Sequence, residues 1–164
     1  LMTHTYSHLY RLPATGLRFF TVYGPWGRPD MAAYKFADAI VAGRPIQVYN
    51  HGDMRRDFTY VDDVIDGVTR VMARPPGDDG RAPPFRLYNI GNHRPEPLLR
   101  FIAVLEAALG HESVKEMLPM QPGDVPETYA DIDAIARDTG FAPRTPIDVG
   151  VPRFVEWYRA YHGL

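Results

Sequence analysis

Apolar residues recur at helical spacing over residues 61–73, where Val61, Val64, Ile65, Val68, Val71 and Met72 make one stripe. Asp62 and Asp63 in its first turn suit the positive end of a helix dipole, and Pro75–Pro76 stops it. The same reasoning predicts helices over 2–10, 32–42 (ended by Gly43 and Pro45), 98–109 (ended by Gly110), 133–139 (ended by Gly140) and 151–161. On the last, Phe154, Val155, Trp157, Tyr158 and Tyr161 read as packing residues. Three short β-rich runs are expected as strands: LRFFTV over 17–22, residues 46–49, and 86–90 leading into Gly91. Strands alternating with helices predict the α/β class. The Pro- and Gly-rich stretch 74–84 (RPPGDDGRAPP) reads as an exposed loop inside one domain, and no segment repeats. Three strands are too few for a doubly wound sheet and the chain opens inside an apparent helix, so a piece of a longer protein is expected.

The 164 residues carry 18 Lys+Arg against 20 Asp+Glu, a formal charge of −2 with no basic cluster, which argues against nucleic acid or an anionic membrane as partner. With no Cys there is no disulfide, thiol nucleophile or thiolate metal site, and the cytosol is the expected location. No apolar run approaches the roughly 20 residues that span a bilayer. His4 and His8 have metal-ligand spacing but no third ligand nearby, and no metal site is expected.

Three segments can carry chemistry. YGPWGRPD (23–30) follows a predicted strand, and Arg28 on it reads either as a forked cation for a carboxylate or phosphate, or as the surface arginine of a tight turn. In GDMRRDFTYVDD (52–63), Arg55 and Arg56 either hold a diphosphate or pair with Asp53, Asp57, Asp62 and Asp63. QPGDVP (121–126) is a turn presenting an amide and a carboxylate, groups suited to sugar hydroxyls. There is no Tyr-x-x-x-Lys pair, since the residues four before Lys35 and Lys115 are Met31 and His111, and no three-glycine phosphate fingerprint.

RFFTVYGPWGRPDM, NHGDMRRDFTYVDD, YNIGN and MQPGDVPETYAD, in this order, resemble the carboxy-terminal half of the UDP-glucuronate 4-epimerases, members of the NAD-dependent epimerase/dehydratase family of extended short-chain dehydrogenase/reductases. The resemblance implies a Rossmann domain that binds NAD, a smaller domain that binds the nucleotide sugar, and epimerisation through a 4-keto intermediate by a hydride shuttle. It implies that residues 1–29 are a remnant of the Rossmann domain and 30–164 the sugar-nucleotide domain. The helix with the family's Tyr-x-x-x-Lys pair would run just before residue 1, leaving this piece inactive alone. On the resemblance, Phe20 touches the nicotinamide end of NAD. Thr21, where UDP-galactose epimerases carry Asn, recognises the uronate together with Arg28. Gln47 and Tyr49 meet the uracil, Arg56 the diphosphate and Asp124 the ribose. Gln121 stands where galactose epimerases have Arg, and Thr128 lies near the same pocket. The complete enzyme is expected to be a homodimer through Rossmann helices. A decarboxylase or 4,6-dehydratase of the same family, or a non-catalytic nucleotide-sugar-binding module, are the alternatives.

Overall fold

The computed structural model describes all 164 residues. In chain order the elements are α1 (Met2–Tyr10), β1 (Ala14–Phe19), β2 (Val22–Tyr23), α2 (Ala32–Val41), β3 (Ile46–Val48), β4 (Arg55–Arg56), β5 (Thr59–Tyr60), α3 (Val61–Met72), β6 (Phe85–Ile90), β7 (Glu96–Pro97), α4 (Leu98–Leu109), β8 (Lys115–Met117), α5 (Asp133–Thr139) and α6 (Ile147–His162). The strands form four two-stranded sheets: β1–β6, β2–β5 and β3–β8 are parallel, and β4–β7 is antiparallel. The α/β class is as expected, and no helix is long and apolar enough to cross a membrane.

Helices 2–10, 98–109 and 133–139 match their predicted limits, the last two ending on Gly110 and Gly140 in the left-handed region (φ 69° and 71°). The strands differ more from expectation. Eight exist where three were predicted: the strand 17–22 gives two, and β4, β5 and β7, of two residues each, and β8, of three, are too short to show a periodicity of their own. The predicted strand 17–22 divides between two sheets: β1 pairs with β6, while β2 pairs with β5. Thr21 makes the break, with φ 22°. The predicted strand 46–49 stops at Val48, since Asn50 and His51 turn the chain with φ 49° and 50°. Helix α6 starts at Ile147, four residues before the prediction, running through Gly150 and Pro152, two residues that usually break helices. Packing explains the exception. A Cβ on Gly150 would lie 2.2 Å from the Tyr23 hydroxyl, so only glycine lets α6 approach β2 this closely.

Two apolar cores result. The larger gathers α2, α4 and α6 around Tyr23, Phe58 and Tyr60, with the Phe58 and Phe101 rings stacked at 4.1 Å. The smaller joins β6, α3 and α5 through Val64, Tyr88, Ile90, Ile135 and Phe141, with Leu17, Phe20 and Val22 packed on its edge. Of the α6 aromatics, Phe154 and Tyr158 are buried as expected, but Tyr161 is 56% exposed.

Helix propensity alone favours Gly150→Ala by about 1 kcal/mol, whereas overpacking costs about 1–3 kcal/mol. The clash with Tyr23 decides the sign, so urea unfolding of Gly150→Ala should show a lower midpoint at unchanged slope. A raised midpoint would contradict this packing.

Candidate functional site

The site lies where short strands end and their loops gather. The Phe20 N–H continues the β1 ladder by donating to the Ile90 carbonyl at 3.0 Å, and the Thr21 carbonyl accepts from Thr59 N–H at 3.1 Å. The chain thus crosses from one sheet to the other at Phe20–Thr21, at the carboxyl ends of β1 and β6, which is where open α/β sheets hold ligands. Gly24 follows with φ 141°, and a Cβ there would fall 2.6 Å from Val61 Cγ1. Beyond it Arg28 stands in solvent, its side chain 73% exposed, donating to both carboxylate oxygens of Asp30 at 3.0 and 2.5 Å. No hydrogen bond joins Arg28 to Thr21 or Phe20.

A cavity of about 810 Å³ opens between this loop, α2 and β3. Pro29, Asp30, Tyr34, Gln47, Tyr49 and Gln121 line it, so three expected substrate residues share one space. Gln47 faces outward between buried Ile46 and Val48, and the Tyr49 hydroxyl donates to its Oε1 at 3.1 Å. That edge is held by β8, which β3 pairs in register (Gln47 opposite Glu116). Lys115 on β8 donates to Glu106 Oε1 of α4 at 2.5 Å, and Ser113 N–H donates to the same oxygen at 2.8 Å. Burial pushes the Glu106 carboxyl up, but Lys115 and Ser113 outweigh it and hold the group below its ordinary 4.5.

Asp124 sits on the same turn as Gln121, closed by Asp124 N–H donating to the Gln121 carbonyl at 3.2 Å. Arg56 Nη2 donates to Asp124 Oδ1 at 2.8 Å, with only 15% of the arginine side chain exposed. Its Nη1 donates to the carbonyls of Arg55 and Pro126 at 2.9 and 3.2 Å. Neither arginine of the pair meets Asp53, Asp57, Asp62 or Asp63: Arg55 Nε reaches Glu127 at 3.4 Å. The partners come from the segment after β8, about 70 residues on, which local spacing does not reveal.

Asp57, the neighbour of Arg56, is fully buried. Its carboxylate accepts from Asn92 N–H at 2.6 Å and Ala130 N–H at 2.9 Å, and its own N–H donates to Thr128 Oγ1 at 3.2 Å. Burial pushes its pKa up, opposed by the backbone donors of Ala130, Asn92 and His93. Gly91 makes room for it, since a Cβ there would lie 2.2 Å from Ala130 Cβ. The sequence reading had Asp57 only as a possible ion-pair partner. Standing directly after Arg55 and Arg56, it carries no local signal of an interior carboxylate. Tyr34, on the cavity wall, lies within the predicted helix 32–42 and carries no local signal of a site.

A family model described as NAD dependent epimerase/dehydratase family matches residues 1–91. The chain belongs to that family. Over 173 residues it is 52% identical to Protein CapI of Staphylococcus aureus, covering 99% of this chain and 52% of that protein. It is 49% identical over 170 residues to a probable UDP-glucuronate 4-epimerase of Rhizobium meliloti, covering 96% of this chain and 50% of the relative. Its fold matches a crystal structure of the UDP-glucuronic acid 4-epimerase of Bacillus cereus in complex with UDP-glucuronic acid and NAD, with TM-score 0.84 and 28% identity, over 96% of this chain and 49% of that one. The chain therefore spans about half the length of the curated relatives it matches.

Because Glu106 is acidified by the fold, its tether to β8 stabilises the folded state above pH 4.5 and is lost as pH falls through its lower folded value. Glu106→Gln should flatten the acid limb of stability between about pH 5 and 3 relative to the parent chain, read as urea midpoints across that range. Parallel limbs would contradict the assignment.

Proposed function

We propose that this chain forms the nucleotide-sugar side of a UDP-glucuronate 4-epimerase, which turns UDP-glucuronate into UDP-galacturonate through a 4-keto intermediate. The observation that carries the reading is one turn serving two places. Gln121 borders the cavity while Asp124, three residues on, pairs with Arg56. A cavity edged by Tyr49 and Gln47 suits a uracil ring. The Arg56 guanidinium, joined through Asp124 to the turn that carries Gln121, suits the diphosphate, and Asp124 Oδ2, free of the Arg56 contact, suits ribose hydroxyls. Thr128, whose Oγ1 accepts from the Asp57 N–H next to Arg56, is assigned to the same pocket. Thr21 and Arg28 are assigned to the uronate, which requires Arg28 to share or exchange Asp30 for the sugar carboxylate. Relatives named UDP-glucuronate 4-epimerase support this choice of sugar.

The family is NAD-dependent, and NAD when bound would accept and return a hydride. The residues here fit one side of that cofactor only: Phe20, half-buried where β1 ends, is the group assigned to its nicotinamide end. No glycine fingerprint or Tyr-x-x-x-Lys pair accompanies it, so on this reading residues 1–29 continue the NAD-binding domain and bring the substrate loop with Thr21 and Arg28, residues 30–164 form the nucleotide-sugar domain, and the chain alone is inactive. Exposed Met2, Tyr6, Leu9 and Tyr10 on α1 are consistent with burial against that domain or a second subunit, the expected homodimer. A cytoplasmic location fits a nucleotide-sugar substrate.

Calorimetric titration of the chain with UDP and with UDP-glucuronate tests the proposal. Binding of both is expected, with Arg56→Ala weakening both by about tenfold to a hundredfold, the loss of a charged hydrogen-bond donor. Arg28→Ala should weaken UDP-glucuronate alone. Equal affinities of the parent chain and Arg56→Ala for UDP would overturn the diphosphate assignment.

A further inference from the structure

The loop that carries Arg28 is held by side chains, with no backbone ladder behind it. No main-chain hydrogen bond ties residues 25–30 to another element; Gly27 N–H donates to the Gly24 carbonyl at 3.2 Å and Met31 N–H to the Arg28 carbonyl at 3.1 Å, both within the loop. At its tip Trp26 has φ 61°, a left-handed backbone that a bulky residue rarely adopts, and is 76% exposed. What restrains it is a pair of rings from the last turns of α6. The Trp157 ring lies 5.5 Å from Trp26 and the Tyr161 ring 5.4 Å away, edge-on at 77°. Trp157 and Tyr161 stack on each other at 5.3 Å. The same helix end holds α2, where the Tyr34 hydroxyl and His162 Nε2 share a hydrogen bond of 2.8 Å. The C-terminal turns of α6 therefore join the Arg28 loop to α2, which lines the cavity.

We infer that Trp157 and Tyr161 are positioning residues, which hold Trp26 and so set where Arg28 meets the carboxylate of a sugar-nucleotide. The inference rests on the reading of Arg28 given above. Neither ring touches ligand; they act by keeping a strained loop in one conformation, so that the entropy of ordering it is not lost on binding.

The test compares the parent chain with Tyr161→Ala, Trp157→Phe and Trp157→Ala. Tyr161 is exposed, so its removal leaves both cores intact. Amide hydrogen exchange is read at Gly27 and Met31. Tyr161→Ala and Trp157→Ala should exchange there about three- to tenfold faster, and Trp157→Phe should return to the parent rate. Unchanged exchange in folded Tyr161→Ala would overturn the inference. Titrations with UDP and UDP-glucuronate separate the two proposals. In Tyr161→Ala, UDP affinity should hold while the preference for UDP-glucuronate over UDP falls about three- to tenfold; faster exchange with an unchanged preference overturns the positioning role. Absence of any such preference in the parent chain overturns the Arg28 reading instead, and the exchange rates then decide whether the rings hold the loop.

Discussion

The buried carboxylate of Asp57 is the interaction on which the arrangement depends. It collects the N–H groups of Asn92 and Ala130, from the end of β6 and the approach to α5, onto a residue next to Arg56. A carboxylate taken out of water costs several kcal/mol unless its oxygens find donors, and here backbone amides supply them. Three segments far apart in the chain must meet for that to happen, so the charge is tolerated only in this one topology. Gly91 leaves the space, and the Thr128 hydroxyl accepts the backbone N–H of Asp57. The segment leading back from Thr128 is the one that brings Asp124 to Arg56.

The two cores meet along this line. Phe58 and Tyr60 enter the larger core while Val64 enters the smaller, so residues 57–64 run along the seam and belong to both. The strand broken at Thr21, whose carbonyl accepts from Thr59, and the two-residue β2–β5 ladder fall on this seam. The cavity forms to one side, against the larger core, where Phe36, Ala39 and Ile46 back it. Regular elements hold its walls: α2 on one side, and on the other β3, braced by β8 and Glu106.

Charge is arranged with the same economy. Arg56 is nearly enclosed and spends three donor contacts on Asp124, Arg55 and Pro126, so its head group is already oriented. Arg28 is the opposite case, an exposed guanidinium whose only partner, two residues away, is as solvated as itself. On the proposed reading, an enclosed cation suits a group common to all nucleotide sugars, and an exposed one suits the part that varies among them.

Much of this was legible in the amino-acid order. The helices 98–109 and 133–139 were bounded by their glycines, the α/β class followed from alternation, and the segments around Arg28, Arg56 and Asp124 stood out by composition and family resemblance. These are local signals: a periodicity, a cap, a motif. The division of residues 17–22 between two sheets, the extension of α6 through Gly150 and Pro152, and the pairing of Arg56 with Asp124 were decided only by tertiary structure. Each depends on a partner tens of residues away, and the physics that selects it is the close approach of Gly150 to Tyr23, or a buried carboxylate needing donors, neither of which leaves a pattern within one segment. Sequence therefore determined the helices and the chemical groups, and packing determined the short strands and which of those groups face one another.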